Sequence, residues 1–469
     1  MKIKFKSLGI FLLLAILLSS CVPRRLDKLK MKKAREDFDK EGLILQDGSF
    51  YPDKITEFDV DTYLKWYESL GQAPKLQLSK AQKPKALTKE EMVEDFNYLF
   101  NQLKENFPFF EVLKRDRKID FLGNYDKYLS MVKKSENDED FIKTISLILE
   151  DLNNDHTGLK DRDYVEATLE YFSKNFTSPS IYYEFLNLNR QVVRNRYGLS
   201  GIQSQRDTFP LDRRRAIFEK IENPNLEFEK VKEDIGLLRI KKMAGSEKYT
   251  EDLKVLRDFL KDKHLYKALV IDIRGNSGGN TEYWKDFLLP KLLTRPKKVR
   301  NNLFFKKSNK AKMIFADDRL NVEEISNVDI SSLKLDHRED LKNFDLYMKD
   351  TISVSPDSSD SLYGYEGSIY LLVDGGVYSA AEGFANFMKH TNSATLIGEE
   401  SGGDGITLGV INAVMPNSGL VFTYTNTLGY DPLGKINYED PTSPDIESNS
   451  YRDSIMTIEK LMESKTSRP

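Results

Sequence analysis

Residues 367–405, GSIYLLVDGGVYSAAEGFANFMKHTNSATLIGEESGGDG, set the tightest limit on how this 469-residue chain can fold. The apolar, β-branched run Ile369 to Val373 has the length and composition of a buried strand. Asp374-Gly375-Gly376 breaks it, and Ala380 to His390 reads as a helix with Phe384, Phe387 and Met388 on one stripe. A second short apolar strand, Ala394 to Ile397, ends at Gly398. Strands that alternate with helices imply crossovers and a largely parallel sheet covered by helices. Ser379 falls where the first strand turns into the helix, beside free N–H groups and the positive end of the helix dipole.

Ser379 admits two readings. Ser-x-x-Glu, here Ser379 and Glu382, is the capping-box pattern, and caps vastly outnumber nucleophiles. The other reading is a serine nucleophile on a tight turn, with an adjacent N–H ready for an oxyanion and glycines that let the backbone bend.

The rest of the C-terminal half repeats the alternation. Ile235 to Ile240 reads as a strand, Thr250 to Leu260 as an amphipathic helix and Ala268 to Ile273 as a buried strand. That strand ends in Arg274-Gly275-Asn276-Ser277-Gly278-Gly279, ahead of a helix from Thr281 to Leu292. The turn lacks both the dinucleotide glycine spacing and the P-loop lysine. It is either a plain tight turn or a source of oxyanion-hole donors. Residues 294–365, with the charged run Arg295 to Arg300 and the stretch Ser353 to Ser361, read as a surface insertion that interrupts this core. Ile406 to Met415 and Leu420 to Thr425, joined through Pro416-Asn417-Ser418-Gly419, carry a hairpin signal, and a final helix runs near Ser454 to Ser464.

In the N-terminal half, Thr88-x-x-Glu91 is a capping box, followed by Met92, Phe96, Leu99, Phe100 and Leu103 at helical spacing until Pro108. Helical patterns cover Asn124 to Lys133 and Asp138 to Leu152. The second runs into the polar turn Asn153-Asn154-Asp155-His156-Thr157-Gly158. His156 is one of four histidines, with His264, His337 and His390; a lone histidine in a turn is usually a solvated or capping residue. Residues 22–86 read as a tether with a small irregular segment, 87–160 as a helical N-terminal domain, 161–233 as a mixed linking region and 234–469 as the core. No glycine-bearing carboxylate-binding loop in 161–233 suggests a PDZ domain.

Residues 1–21 have Lys2, Lys4 and Lys6, an apolar run from Ile10 to Leu18, and Ser19-Ser20-Cys21. This is the pattern of a secretory signal, and the apolar run is short for a membrane span. Leu18-Ser19-Ser20-Cys21 resembles a bacterial lipobox, which implies lipidation of Cys21 and an extracytoplasmic, lipid-anchored protein at the cell membrane or outer membrane. Cys21 is the single cysteine, so the exported part holds no intramolecular disulfide and no cysteine-built metal site. The formal charge of −3 falls to about −6 without Lys2, Lys4 and Lys6, which argues against a nucleic-acid partner.

Together, the helical lead-in to Asp155-His156-Thr157, the DIRGNSGG turn, VYSAAEGFA, GEESGGDG and the closing Glu439…Pro444-Asp445 resemble the C-terminal processing (tail-specific) family of serine peptidases. The resemblance spans roughly Thr88 to Lys465, weakly over 161–233 and 294–365. It implies an α/β fold with a crotonase/ClpP-like core of β-β-α units, and peptide-bond hydrolysis through a serine acyl-enzyme. The bacterial processing branch carries a general-base lysine in the segment matching GEESGGDG; here that position is Asp404, which excludes a Ser–Lys dyad. The tricorn-like branch uses a histidine and a downstream glutamate instead, matched by His156 and by Glu439, with Asp440 as the alternative register.

In the mechanism so implied, Ser379 attacks the carbonyl, His156 moves the proton and Glu439 orients or stabilises the imidazole. The N–H of Ala380 binds the oxyanion together with that of Gly278, preferred over Gly279. No metal or organic cofactor is required. The partners are a peptide or protein substrate and a membrane. Related domains in the retinoid-binding proteins of the eye imply an alternative, a non-catalytic peptide- or lipid-binding protein; a lipid-anchored scaffold whose insertion binds a partner is a third.

Overall fold

The computed structural model describes residues 49–70, 73–174, 178–203, 224–316 and 320–466. The signal segment and Cys21 lie outside them. The core is a six-stranded sheet built from β2 (Leu226–Lys232), β3 (Ile235–Ile240), β4 (Ala268–Asp272), β8 (Ser368–Val373), β9 (Thr395–Gly398) and β13 (Ile446–Glu447). Their spatial order is β13-β9-β8-β4-β3-β2, parallel from β13 to β3, with β2 added antiparallel at the edge.

Both faces of the sheet's central strands are covered, which is why β4 and β8 read as unbroken apolar runs. Successive side chains leave on opposite faces. Leu238, Leu269, Ile271, Leu371 and Val373 pack with the helices Tyr249–Lys261 and Ala380–His390. Leu237, Ala268, Val270, Tyr370 and Leu372 pack instead with Ile455 and Ile458 of the last helix, Tyr451–Thr466. The helix expected at Thr281 to Leu292 contains a π-helical stretch, Tyr283–Leu288, before it finishes as Leu289–Leu292.

The segment 294–365 is more than a surface insertion. It contributes the helix Asn309–Phe315 and the strands β5 (Lys297–Phe305), β6 (Val322–Glu324) and β7 (Leu346–Val354), which with β12 (Leu428–Tyr430) form a second sheet in the order β12-β5-β7-β6. Its outer partner β12 (Leu428–Tyr430) comes from the core, so Leu303, Phe304 and Phe305 are buried. A third, small sheet pairs β1 (Gly158–Leu159) with the hairpin of β10 (Ile411–Val414) and β11 (Val421–Tyr424).

The N-terminal helices carry the first candidate residue to the core. Thr88 and Glu91 form the capping box at the start of Lys89–Asn106, whose Met92, Phe96, Leu99 and Leu103 are buried. This helix packs with Tyr125–Lys134 and Asp138–Glu150 in one apolar cluster that also takes in Phe422 and Tyr424 of β11. The linking region is largely helical, with Arg162–Lys174, Pro179–Leu188 and Gln191–Tyr197. These helices share a cluster with Tyr63 and Trp66 of Val60–Ser69, so the stretch read as tether is partly a docked helix.

Candidate active site

Three loops at the carboxyl ends of β4, β8 and β9 lie side by side, the place where open α/β sheets bind ligands. Asp374 Oδ1 accepts from Gly275 N at 2.8 Å and from Gly376 N at 3.0 Å, joining the first loop to the second. Gly402 N donates to Val377 O at 2.7 Å and Ser379 N to Gly403 O at 3.2 Å, joining the second to the third.

Ser379 sits at φ 57°, ψ −124°, a backbone conformation rare for a residue with a side chain. Its hydroxyl makes no capping hydrogen bond, so the capping-box reading fails here. Glu382 is elsewhere engaged: fully buried, its Oε1 accepts from Asn437 Nδ2 (2.6 Å), Thr442 Oγ1 (2.6 Å) and Thr442 N (3.1 Å). Burial pushes its carboxyl pKa up, against these hydrogen bonds. Asn437 Oδ1 in turn accepts from Gly405 N (2.7 Å) and Ile406 N (3.2 Å), so Glu382 fastens the Ala380–His390 helix to the loop holding Asp404. Glu382→Ala leaves three buried donors unpaired and is expected to cost on the order of 3 kcal/mol, read as a lower midpoint in urea unfolding.

His156 Nε2 lies 2.9 Å from Ser379 Oγ. The imidazole is delivered from the turn after the Asp138–Glu150 helix, and Thr423 Oγ1 of β11 donates to its backbone carbonyl at 2.7 Å. Its other nitrogen, Nδ1, lies 2.8 Å from Asp404 Oδ2. The same oxygen accepts from Asn154 Nδ2 at 2.8 Å and Tyr378 Oη at 3.1 Å. Burial first, then the Asp404 charge, pushes the Tyr378 phenol far above its ordinary pKa, so it stays a donor. The Asp404 side chain is 2% exposed and that of His156 is 11% exposed.

Glu439 is not brought to the imidazole. Arg115 takes its carboxylate in a two-pronged pair, through Nε at 2.6 Å and through Nη2, and holds Asp340 at 2.9 Å with Nη1. A planar guanidinium fits a carboxylate in this way better than a single ring nitrogen does. Asp440 is not there either; it faces Lys435 at 3.5 Å. Asp404, which sequence reasoning weighed only as a replacement for lysine, occupies the place expected for Glu439.

The N–H groups expected to bind an oxyanion differ in whether they are free. Gly278 N donates to Asn276 Oδ1 at 3.0 Å, so the preferred N–H is already committed. Among the described residues, the N–H groups of Ala380 and Gly279 have no acceptor. Gly278 matters sterically instead: at φ 97°, a Cβ there would lie 2.7 Å from Tyr378 O and 2.8 Å from Ser379 Cβ. Only glycine lets this loop approach the serine turn so closely.

Residues 234–448 match the model of peptidase family S41. Mature CPAF complexed with lactacystin is similar over 80% of this chain and 98% of its own, at 13% identity and a TM-score of 0.51. A putative peptidase from Parabacteroides merdae is 17% identical over 79% of this chain and 96% of its own, with a TM-score of 0.48. The photosystem II D1 C-terminal processing protease is 14% identical over 77% and 94%, with a TM-score of 0.39. No curated protein matches the chain by sequence. The matched region, somewhat under half of the chain, is the one that forms the parallel sheet and carries Ser379 and Asp404, and over it the chain matches the serine-type peptidases of family S41.

Proposed function

We propose that the protein cleaves peptide bonds outside the cytoplasm, with Ser379 as nucleophile, His156 as general base and Asp404 as the partner of the imidazole. The observation that carries this reading is the 2.9 Å approach of His156 Nε2 to a serine hydroxyl held at positive φ. With Nδ1–H donating to Asp404, Nε2 keeps a lone pair for the Ser379 proton. As Ser379 Oγ bonds to the scissile carbonyl carbon, the proton passes to Nε2. The imidazolium then gives it to the leaving amine, and Asp404 stabilises that cation throughout. The N–H groups of Ala380 and Gly279 receive the oxyanion at the positive end of the Ala380–His390 helix. Water enters after the amine departs and attacks the acyl carbon as it loses a proton to His156, which returns that proton to Ser379 Oγ as the acyl–oxygen bond breaks and the acid leaves.

A fluorophosphonate probe is expected to label Ser379 in the wild-type protein and to lose most of that labelling in His156→Ala, read by mass spectrometry of the modified peptide. Absence of labelling, combined with saturable peptide binding, would instead favour a non-catalytic binding protein.

The lipobox-like Leu18-Ser19-Ser20-Cys21 supports a lipid anchor on Cys21 and a place at the bacterial cell membrane or outer membrane. Among the described residues no helix is long and apolar enough to cross a membrane. Cys21→Ser is expected to abolish incorporation of labelled fatty acid and to move the protein from the membrane to the soluble fraction. Retention of the mutant in the membrane fraction would remove the anchor.

A further inference from the structure

The β5–β7 ribbon and the nucleophile helix enclose a cavity of about 160 Å³ that the mechanism does not use. At ~30 Å³ per water this is room for about five waters, or for one long side chain. Val299, Asn301 and Leu303 alternate onto it from β5, and Asp350, the register partner of Asn301, faces it from β7. Across from them stand Trp284 and Phe387, with Gly383 and Gly405 between. Gly383 is four residues along the helix from Ser379, about 6 Å of axial rise, and Gly405 follows Asp404. One end of the cavity therefore lies about one helical turn from Ser379 and one residue from Asp404.

Its buried polar end is formed by Asn301 and Asp350, with Lys285 at the exposed side. Asn301 is 2% exposed, and its Nδ2 points to Asp350 Oδ2 at 3.4 Å. That contact fixes which way the amide faces and leaves Asn301 Oδ1 buried with no partner. Asp350 has no paired cation among the described residues: Lys285, also on the cavity, is 34% exposed and has its ammonium 3.9 Å from Asp286. Burial pushes the Asp350 carboxyl up, only partly opposed by Asn301 and by the Lys285 charge. A buried acceptor and an unpaired carboxylate ask for a donor that carries positive charge.

We propose that this cavity is a subsite for a lysine or arginine side chain of the substrate, within a few residues of the scissile bond. The proposal rests on the serine peptidase reading and adds the substrate class to it. The methylene stem lies against Val299 and Ile352, the cation reaches Asp350 and Asn301 Oδ1, and the Trp284 ring borders its path. An acidic residue at that position meets Asp350 and is disfavoured.

The test uses the exported chain and peptides that place Lys, Arg, Leu or Glu at each position flanking the cleaved bond. One position is expected to favour Lys and Arg over Leu by about tenfold in kcat/KM, with Glu worse than Leu. In Asp350→Asn the ratio of basic to leucine peptides is expected to fall close to one. A Ser379-dependent hydrolysis with no basic preference at any position, or a preference that Asp350→Asn leaves intact, overturns the subsite and spares the peptidase. Agmatine binding to Ser379→Ala, followed by calorimetry, gives an arm that needs no turnover. Saturable binding lost in Ser379→Ala/Asp350→Asn supports the subsite, and no binding counts against it. If wild-type protein cuts nothing while agmatine binds through Asp350, the peptidase reading falls and the cavity's preference for cations stands.

Discussion

Ser379→Ala is expected to lower kcat for peptide hydrolysis by roughly 10⁶-fold, the scale on which a covalent nucleophile acts together with its base. The loss should come without unfolding. The hydroxyl caps no helix end, and its partner is His156 Nε2. The positive φ at 379 is as uncomfortable for alanine as for serine, so the exchange neither adds nor relieves strain. Removing one oxygen from a half-buried position is expected to leave the thermal midpoint within a few degrees of wild type. The residual rate, on the order of 10³-fold above the uncatalysed reaction, would come from substrate positioning and the N–H groups at Ala380 and Gly279. Steady-state hydrolysis beside a thermal melt separates the two effects. Wild-type turnover by a folded Ser379→Ala protein would remove the enzyme reading.

The core was legible because its central parallel strands are buried on both faces. A run such as Ala268-Leu-Val-Ile-Asp272 shows itself in one dimension, and the glycines that follow mark where it stops. Ser379 and His156 were legible for a different reason. Each stands in a short motif whose neighbours set the local backbone, so the segments identify the residues even though 223 positions separate them.

What failed were the contacts that no local pattern encodes. Arg115 lies 324 positions from Glu439 in a plain amphipathic helix, and nothing near either residue announces that the guanidinium will claim the carboxylate. The bond from Asn276 to Gly278 N was closer to hand, since an asparagine two residues ahead of an N–H commonly forms such a turn. The ribbon from 294 to 365 was hidden by charge. Along β5 the exposed Lys298 and Arg300 alternate with the buried Val299 and Asn301, and the period-2 signal is masked by the lysines and arginines that solvate the outer side. Its inner side becomes visible only when β12 supplies a partner from more than a hundred residues downstream.

The identity of the third catalytic residue separates two arrangements sharply, and substitution at Asp404 and Glu439 decides between them. Asp404→Asn is expected to lower kcat by about 10³-fold. Asn154 Nδ2 and Tyr378 Oη donate to the same carboxylate oxygen that faces His156 Nδ1, so in the variant they hold the amide oxygen in that place and keep the side chain in position. His156 keeps its Nδ1–H, but no negative charge remains to stabilise the imidazolium formed in the transition state, so the loss is one of charge rather than of geometry. Glu439→Gln acts on a different structure. It replaces half of a charged pair with Arg115 by a neutral hydrogen bond, and its cost, on the order of 1–3 kcal/mol, belongs to stability. Its kcat is expected within about tenfold of wild type. Kinetics and urea unfolding of the two variants should therefore show opposite signatures. A Glu439→Gln protein that is stable but inactive, beside an active Asp404→Asn protein, would place the imidazole against Glu439 in the working enzyme and return Asp404 to a structural role.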